Sequence, residues 1–416
     1  PLFLGLFYGF ATLITSFFEL RKDFITILLL SLSFSIMEFI RGFVLGGFPW
    51  NLIVFSWSNY IESLQILSFI GTYSFNLISI TIFSLPLIIF FKKSFKFKFL
   101  FVFSLCSFLA LNHIFGTWVI KQKNNYFNEL DFKIKIVSPK IDIKRFLKYE
   151  DPENSIKELI SLAKPNTSEK TIFIFPEGIL ANIYFQDLIV YKKLFLENFS
   201  NNHTIFIGTN TIEKVDGKNK IYNSLAVIDN KLNLISKYDK NKLVPFGEFL
   251  PFENFFSIFG FKKITFGYES FSAGKKRKLI SVNNINFLPL ICYEIIYSGN
   301  LKKNNEDFDF IVNISEDGWF GNSIGPHQHF SHSIFRAIEE GKNVIRVSNN
   351  GISAVIDSNG IASHVLKSTT RGVIEINKFK ISKTTFFSKF GNKIFFYFVI
   401  FYIILIFLNL KKREKQ

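Results

Sequence analysis

Long apolar runs crowd both ends of the chain, and the stretch between them changes to short apolar segments at strand and helix spacing. Five runs carry almost no charge and have the roughly 17 to 25 residues needed to cross a bilayer as helices: Leu2–Phe18, Phe24–Ile40, Ile66–Phe91, Phe99–Ile120 and Ile394–Leu410. The connection from Arg41 to Tyr60 holds Gly42, Gly46, Gly47 and Pro49 beside Trp50 and Trp57, which predicts an interfacial or re-entrant loop with an aromatic belt. Further on, β-rich runs are expected at Phe132–Val137, Thr171–Phe175, Thr204–Ile207, Ser224–Ile228, Phe287–Ile291, Phe308–Ile314 and Val344–Val347. An amphipathic helix at Glu153–Ala163 and a hairpin at Ile352–Ile361 accompany them. Such alternation predicts an α/β domain with helices covering a sheet. The chain therefore divides into a membrane domain of four helices (1–120), an extramembrane domain (121–390), and a C-terminal membrane helix with a basic tail (391–416).

Composition sharpens this division. With 56 Phe, 48% hydrophobic residues and a mean hydropathy of +0.25, the chain is too apolar for an ordinary soluble or disordered protein. Its 2 Cys exclude a disulfide scaffold and a multi-cysteine metal cluster. The formal charge of +16 raises the question of nucleic acid, but the lysines are scattered or flank apolar runs, so no nucleic-acid partner is expected. Where they flank those runs they orient the chain. Arg21 and Lys22, then Lys92, Lys93, Lys96 and Lys98, then Lys411, Lys412, Arg413 and Lys415 all fall on one side, against Arg41 alone on the other. The positive-inside rule places the basic sets in the cytoplasm and residues 121–390 outside it. The sequence starts at Pro1 and its single Met, Met37, lies inside an apolar run, so the true start is expected upstream.

In α/β folds reactive groups collect beyond the carboxyl ends of strands. The Thr171 strand runs into Pro176-Glu177-Gly178, and the Phe287 strand into Cys292-Tyr293-Glu294. Between them Tyr238-Asp-Lys240-Asn-Lys-Leu-Val-Pro245-Phe-Gly-Glu248 is a polar loop. A thiol, a general base and a cation suffice for covalent acyl transfer: the carboxylate takes the thiol proton, the thiolate attacks a carbonyl, and the ammonium stabilises the oxyanion. Each residue alone has a plainer role. A Glu after Pro at a strand end is commonly a helix cap or surface group, a lone Cys is commonly a small buried hydrophobe, and Lys240 alone says little in a lysine-rich chain. An unpaired thiol outside the cytoplasm nonetheless needs a reason, and Cys106, inside a membrane run, cannot be its partner.

Taken together these segments resemble the Glu-Lys-Cys signature of the carbon-nitrogen hydrolase (nitrilase) superfamily, and more narrowly its bacterial apolipoprotein N-acyltransferases. The narrower resemblance rests on Glu38-Phe-Ile-Arg41-Gly, Gly47-Phe-Pro-Trp50, Leu243-Val-Pro-Phe-Gly-Glu-Phe-Leu-Pro251, Asn313-Ile-Ser-Glu-Asp-Gly-Trp-Phe-Gly321, Ser323-Ile-Gly-Pro-His-Gln-His329 and Asn349-Asn-Gly-Ile352. It implies an α-helical membrane bundle joined to a four-layer αββα sandwich, with more N-terminal membrane helices than are present here. It implies Glu177 as general base, Lys240 as oxyanion cation, Cys292 as nucleophile and Glu248 as supporting carboxylate, with Tyr293, Glu294 and Phe320 shaping the acyl and acceptor site. The family's Lys-Trp pair is matched only by Lys148-Tyr149, so Tyr149 stands where Trp is usual.

The implied reaction is ping-pong. An acyl chain, in this family commonly the sn-1 chain of phosphatidylethanolamine, passes from phospholipid to Cys292, and then to the α-amino group of the lipidated N-terminal cysteine of a diacylated apolipoprotein. The resemblance implies a multi-pass protein of the bacterial inner membrane with its catalytic domain on the periplasmic side, expected to act as a monomer without cofactor or metal. The alternatives are a membrane-anchored amidohydrolase with water as acceptor, and a non-catalytic membrane scaffold or transporter. Apolar loops near the membrane are expected, with 252–261 a candidate. His327, His329 and His332 cannot all share one helix face and are not expected to bind metal. Gly274-Lys-Lys-Arg-Lys278 reads as a solvated turn, or as a contact for anionic lipid headgroups. Glu38 and Arg41 are placed to pair at a helix end, with lipid headgroup contact as the alternative.

Overall fold

The computed structural model of the chain describes residues 2–17, 24–90, 94–123, 127–147, 151–181, 183–251, 270–299, 301, 306–380 and 383–414. Its N-terminal region comprises helices α1 (Leu2–Ser16), α2 (Phe24–Arg41), α3 (Ile61–Leu64), α4 (Leu67–Ser84) and α5 (Phe95–Lys123). Among the described residues the stretches Phe24–Arg41, Leu67–Ile88, Phe95–Gln122 and Lys393–Lys411 are long and apolar enough to cross a membrane. The first expected span is shorter: α1 has 15 residues, and at 1.5 Å per residue it covers about 22 Å of a core near 30 Å. Cys106 is exposed on α5, and both cysteines are free.

The Arg41–Tyr60 connection folds into short 3-10 turns at Val44–Gly46 and Ile53–Trp57 instead of a further helix. Glu38 and Arg41 do pair, at 3.8 Å and almost wholly buried. Glu38 also accepts from Asn76 and, at 3.3 Å, from Tyr8, while Arg41 donates to Asn51 at 2.7 Å.

Among the described residues twelve strands form two six-stranded sheets. The first has the order β12-β1-β2-β3-β4-β5, from Gly372–Lys380, Phe127–Ser138, Thr171–Ile174, His203–Val215, Lys218–Ile228 and Leu234–Asp239. The second has the order β11-β10-β9-β8-β7-β6, from Ala362–Leu366, Ser353–Ile356, Asn343–Asn349, Phe310–Glu316, Ile285–Ile291 and Ile280–Val282. Each has three parallel strands at its heart, β1-β2-β3 and β7-β8-β9, with antiparallel neighbours outside. Ile134, Ile136 and Phe206 of one sheet meet Phe287, Ile291 and Val312 of the other in an apolar interior. Helices α6 (Pro152–Ala163) and α7 (Lys192–Asn198) cover the first sheet through Ile156, Leu159 and Phe195. Helix α8 (Gly325–Glu340) covers the second through Phe335 and Ile338, which completes the αββα sandwich.

The core under α8 continues into the membrane helices, through Leu28, Leu67, Phe75 and Phe395, the last on α10 (Lys393–Glu414). The join is also polar. Helix α4 breaks at Gly71 (φ 72°), where a Cβ would come within 2.0 Å of the Phe387 ring of α9 (Phe386–Phe390). The freed Thr72 N–H donates to Glu339 Oε1 at 2.6 Å, and Glu339 also takes Ser298 and pairs with Arg336.

The apolar pattern misses α8, because its buried face carries His329, His332, Ser333, Arg336, Glu339 and Glu340 where an amphipathic helix ordinarily shows aliphatic residues. It also stops short on β3 and β4, whose paired ends at Glu213–Lys220 extend past the core. The expected hairpin is β10-β11, which runs on to Leu366.

Candidate active site

The fully buried β2 leaves the sheet through Phe175 and Pro176 and delivers Glu177 at its carboxyl end. Gly208 on β3 lets it pass, since a Cβ there would lie 2.3 Å from the Pro176 carbonyl oxygen and 2.5 Å from Glu177 Cα. Cys292 follows β7 at φ 49°, a left-handed conformation that costs a non-glycine residue of order 1–3 kcal/mol, and opens the 3-10 turn Cys292–Ile296. Two side chains hold its carbonyl oxygen: Asn313 Nδ2 at 3.4 Å and His329 Nε2 at 3.2 Å. Lys240 follows β5, its N–H donating to Asn223 O and its carbonyl accepting from Gly274 N, both at 2.8 Å.

These three elements converge. Lys240 Nζ, with a side chain only 1% exposed, lies 3.3 Å from Glu177 Oε1 and 2.8 Å from Glu248 Oε1. Asn223 Nδ2 donates to the same two oxygens at 2.7 and 2.9 Å. The remaining carboxylate oxygens are held by backbone N–H groups, Glu177 Oε2 by Glu316 and Glu248 Oε2 by Val244, each at 2.9 Å. Burial works against the Lys240 charge, but Glu177, then Glu248, outweigh it and hold the ammonium well above its ordinary pKa. Burial, and next the Glu177 charge, push the Cys292 thiol well up, while Lys240 pulls it down. A thiol thus stands beside an ammonium and the Glu177 carboxyl group.

A second cluster sits behind the Cys292 main chain. Asp317 Oδ1 lies 2.8 Å from His329 Nδ1 and accepts from Ser315 Oγ at 2.7 Å, while Asp317 Oδ2 accepts from Arg346 Nη2 at 2.8 Å. Burial alone would raise the Asp317 carboxyl, but Arg346 and then His329 hold it well below the usual carboxylate range. Next to it Glu316, also buried, pairs with Arg145 and accepts from Asn349.

The membrane-side loop closes the site from a third direction. Tyr293 Oη donates to Gly47 O at 2.6 Å and the Tyr297 hydroxyl to Gly46 O, while a Cβ on Gly46 would sit 2.9 Å from Pro245 Cγ. Trp50 packs 5.2 Å from the Phe320 ring, and His332 Nε2 lies 3.1 Å from Trp50 O. Phe320 and Tyr293 thus both contact the loop that follows α2.

Glu294, expected to shape the acyl and acceptor site, is held by a set of protein donors. It is fully buried and spends both carboxylate oxygens on protein, accepting from Tyr238 Oη, the Asn241 and Lys242 N–H groups, Arg277 Nη2 and the Ile291 N–H. The basic turn is accordingly not wholly solvated, because Arg277 folds inward while Lys275, Lys276 and Lys278 stay exposed. Tyr149 and the apolar loop 252–261 lie outside the described residues. The three histidines separate as their spacing requires: His327 is exposed, and His329 and His332 are buried among the partners above. Asn223 and Arg346 escape sequence reasoning because polar residues inside β-rich runs carry no motif of their own; Asp317 and His329 lay in quoted segments without a role.

Comparison with known proteins gives one consistent result. The carbon-nitrogen hydrolase family model matches residues 154–377, and the model of the apolipoprotein N-acyltransferase N-terminal domain matches residues 1–85. The apolipoprotein N-acyltransferase of Rickettsia prowazekii is 32% identical over 410 residues, covering 97% of this chain and 80% of the relative. That of Brucella melitensis is 30% identical over 390 residues, 90% of this chain and 71% of the relative. Among solved structures, Saccharomyces cerevisiae Nit3, of the nitrilase superfamily, aligns with a TM-score of 0.44 at 16% identity, covering 60% of this chain and 90% of that one.

Proposed function

The chain belongs to the apolipoprotein N-acyltransferase family, built on a carbon-nitrogen hydrolase domain, and from that premise we propose that it acylates lipoproteins by a ping-pong route through a thioester on Cys292. Glu177 takes the thiol proton as Sγ attacks the ester carbonyl of a membrane phospholipid, and the Lys240 ammonium stabilises the oxyanion. Collapse expels the lysophospholipid alkoxide, which regains the proton from Glu177, and leaves the acyl group on sulfur. The α-amino group of the lipidated N-terminal cysteine of a diacylated apolipoprotein then attacks the thioester and loses a proton to Glu177. Cys292 departs as thiolate and is reprotonated, and an amide is formed.

The observation that carries this reading is one ammonium buried between the Glu177 and Glu248 carboxylates, beside a thiol whose backbone is held left-handed. Glu248 supports the cation, and Tyr293 and Phe320 line the approach of substrate from the membrane region. In this layout residues 1–120 and 391–416 lie in the inner membrane and 121–390 on its periplasmic side. Both substrates are bilayer-anchored, so a site opening at the membrane confines their search to two dimensions and shields the thioester from water.

Intact-mass and peptide-mass measurement after incubation with phospholipid tests the proposal. One acyl chain on Cys292, discharged by a diacylated lipopeptide into an N-acyl product, is expected. An adduct that is absent, sits on Cys106, or is discharged only as free fatty acid would overturn it, the last in favour of the amidohydrolase.

A further inference from the structure

The basic turn at 274–278 is a motif that the proposed chemistry leaves unused. Arg277, its side chain 13% exposed, reaches Glu294 Oε1 at 3.2 Å through Nη2, Tyr238 Oη at 3.3 Å through Nε, and the Leu301 carbonyl at 2.7 Å through Nη1. Glu294 is placed to connect the two halves of the reacting pair. Its Oε2 accepts from the N–H of Ile291, the residue before the thiol, at 2.9 Å. Its Oε1 accepts from the N–H groups of Asn241 and Lys242, the two residues after the ammonium, at 3.0 and 3.1 Å. One carboxylate thus ties the turn of Cys292 to the loop of Lys240. Burying a carboxylate is costly unless it is hydrogen-bonded and paired with a cation. Among the described residues Arg277 is the cation that forms an ion pair with Glu294.

We propose that Arg277 is a positioning residue of the acyl-transfer centre: by pinning the Glu294 carboxylate it fixes the distance between the Lys240 ammonium and the Cys292 thiol. The inference rests on the thioester route above. A displacement near 1 Å in such a pair lowers turnover by about 100-fold.

The test compares the full-length chain with Arg277→Ala and Arg277→Lys in detergent, by lipopeptide N-acylation and by mass-mapped alkylation of Cys292 with iodoacetamide. Arg277→Ala is expected to lower kcat by about 100-fold while leaving both KM values nearly unchanged, and to slow Cys292 alkylation. Millimolar guanidinium chloride should restore part of both rates in Arg277→Ala and neither in wild type, and Arg277→Lys should fall between. Wild-type kcat in Arg277→Ala, or a loss that guanidinium and lysine both leave unrepaired while the unfolding temperature drops, would overturn the proposal in favour of a packing role. If the wild type forms no thioester, the functional reading fails, and the alkylation rates with and without guanidinium still decide the role of Arg277.

Discussion

Two buried polar clusters meet at Cys292, one around its side chain and one around its main chain, and they follow different charge plans. Around the thiol, Glu177 and Glu248 share a single ammonium. Around the carbonyl, Asp317 is matched by Arg346, with His329 bridging to the peptide. The first arrangement sets two carboxyl groups against one cation beside the thiol, an excess of acceptors that a base requires. The second is balanced, so nothing there gains from moving, and it can hold the left-handed turn on which the thiol stands. Reactivity and rigidity are supplied by separate groups, far apart in sequence, that meet at the single residue Cys292.

That contrast can be broken experimentally, starting with its largest consequence. Lys240→Met removes the cation that two carboxylates share and should lower acyl-enzyme formation by roughly 10²–10³-fold, the cost of losing an oxyanion donor. Arg346→Met acts on the second cluster. It strands a buried carboxylate, and thermal unfolding in detergent should show a loss of about 3–5 kcal/mol. If Arg346→Met lowers acyl-enzyme formation more than Lys240→Met does, the assignment of reactive and rigid clusters is inverted.

Glu177→Gln sharpens the comparison through pH. The Glu177 charge is the second-largest influence raising the thiol, after burial. Neutralising it should therefore lower the Cys292 pKa, so that iodoacetamide alkylation begins at lower pH than in wild type even as acyl transfer is lost. Alkylation shifted to higher pH would mean that Glu177 does not face the thiol as a carboxylate. The smallest effect is expected from Tyr293→Phe, which removes one hydrogen bond to the Gly47 carbonyl and should cost about 1 kcal/mol, read as a severalfold change in acyl-transfer rate.

Much of the architecture was legible in the pattern. Apolar runs of spanning length predicted the long helices, and strand-like runs predicted the parallel hearts of both sheets, because burial on both faces of a central strand demands continuous Val, Ile, Leu and Phe. Glu177, Lys240 and Cys292 were legible as strand-end chemistry. Helix α8 was not, because beside Phe335 and Ile338 its inward side carries polar residues that meet Thr72, Ser298 and the Trp50 loop.

Sequence by itself thus determined which segments are long and apolar enough to cross a membrane, which form the α/β domain, and that Glu177 and Cys292 stand at strand ends. It could do so because hydrophobic period and strand-end position are local properties. Tertiary structure alone decided how those groups are supported. Glu294 turned out to brace the Lys240 loop, Arg277 left the solvated turn to pair with it, and Asp317, His329 and Arg346 assembled from three elements behind the thiol. The physical reason is that a buried polar residue gives no periodic signal. Its position is fixed by the partner that satisfies its charge, and that partner lies far away in sequence.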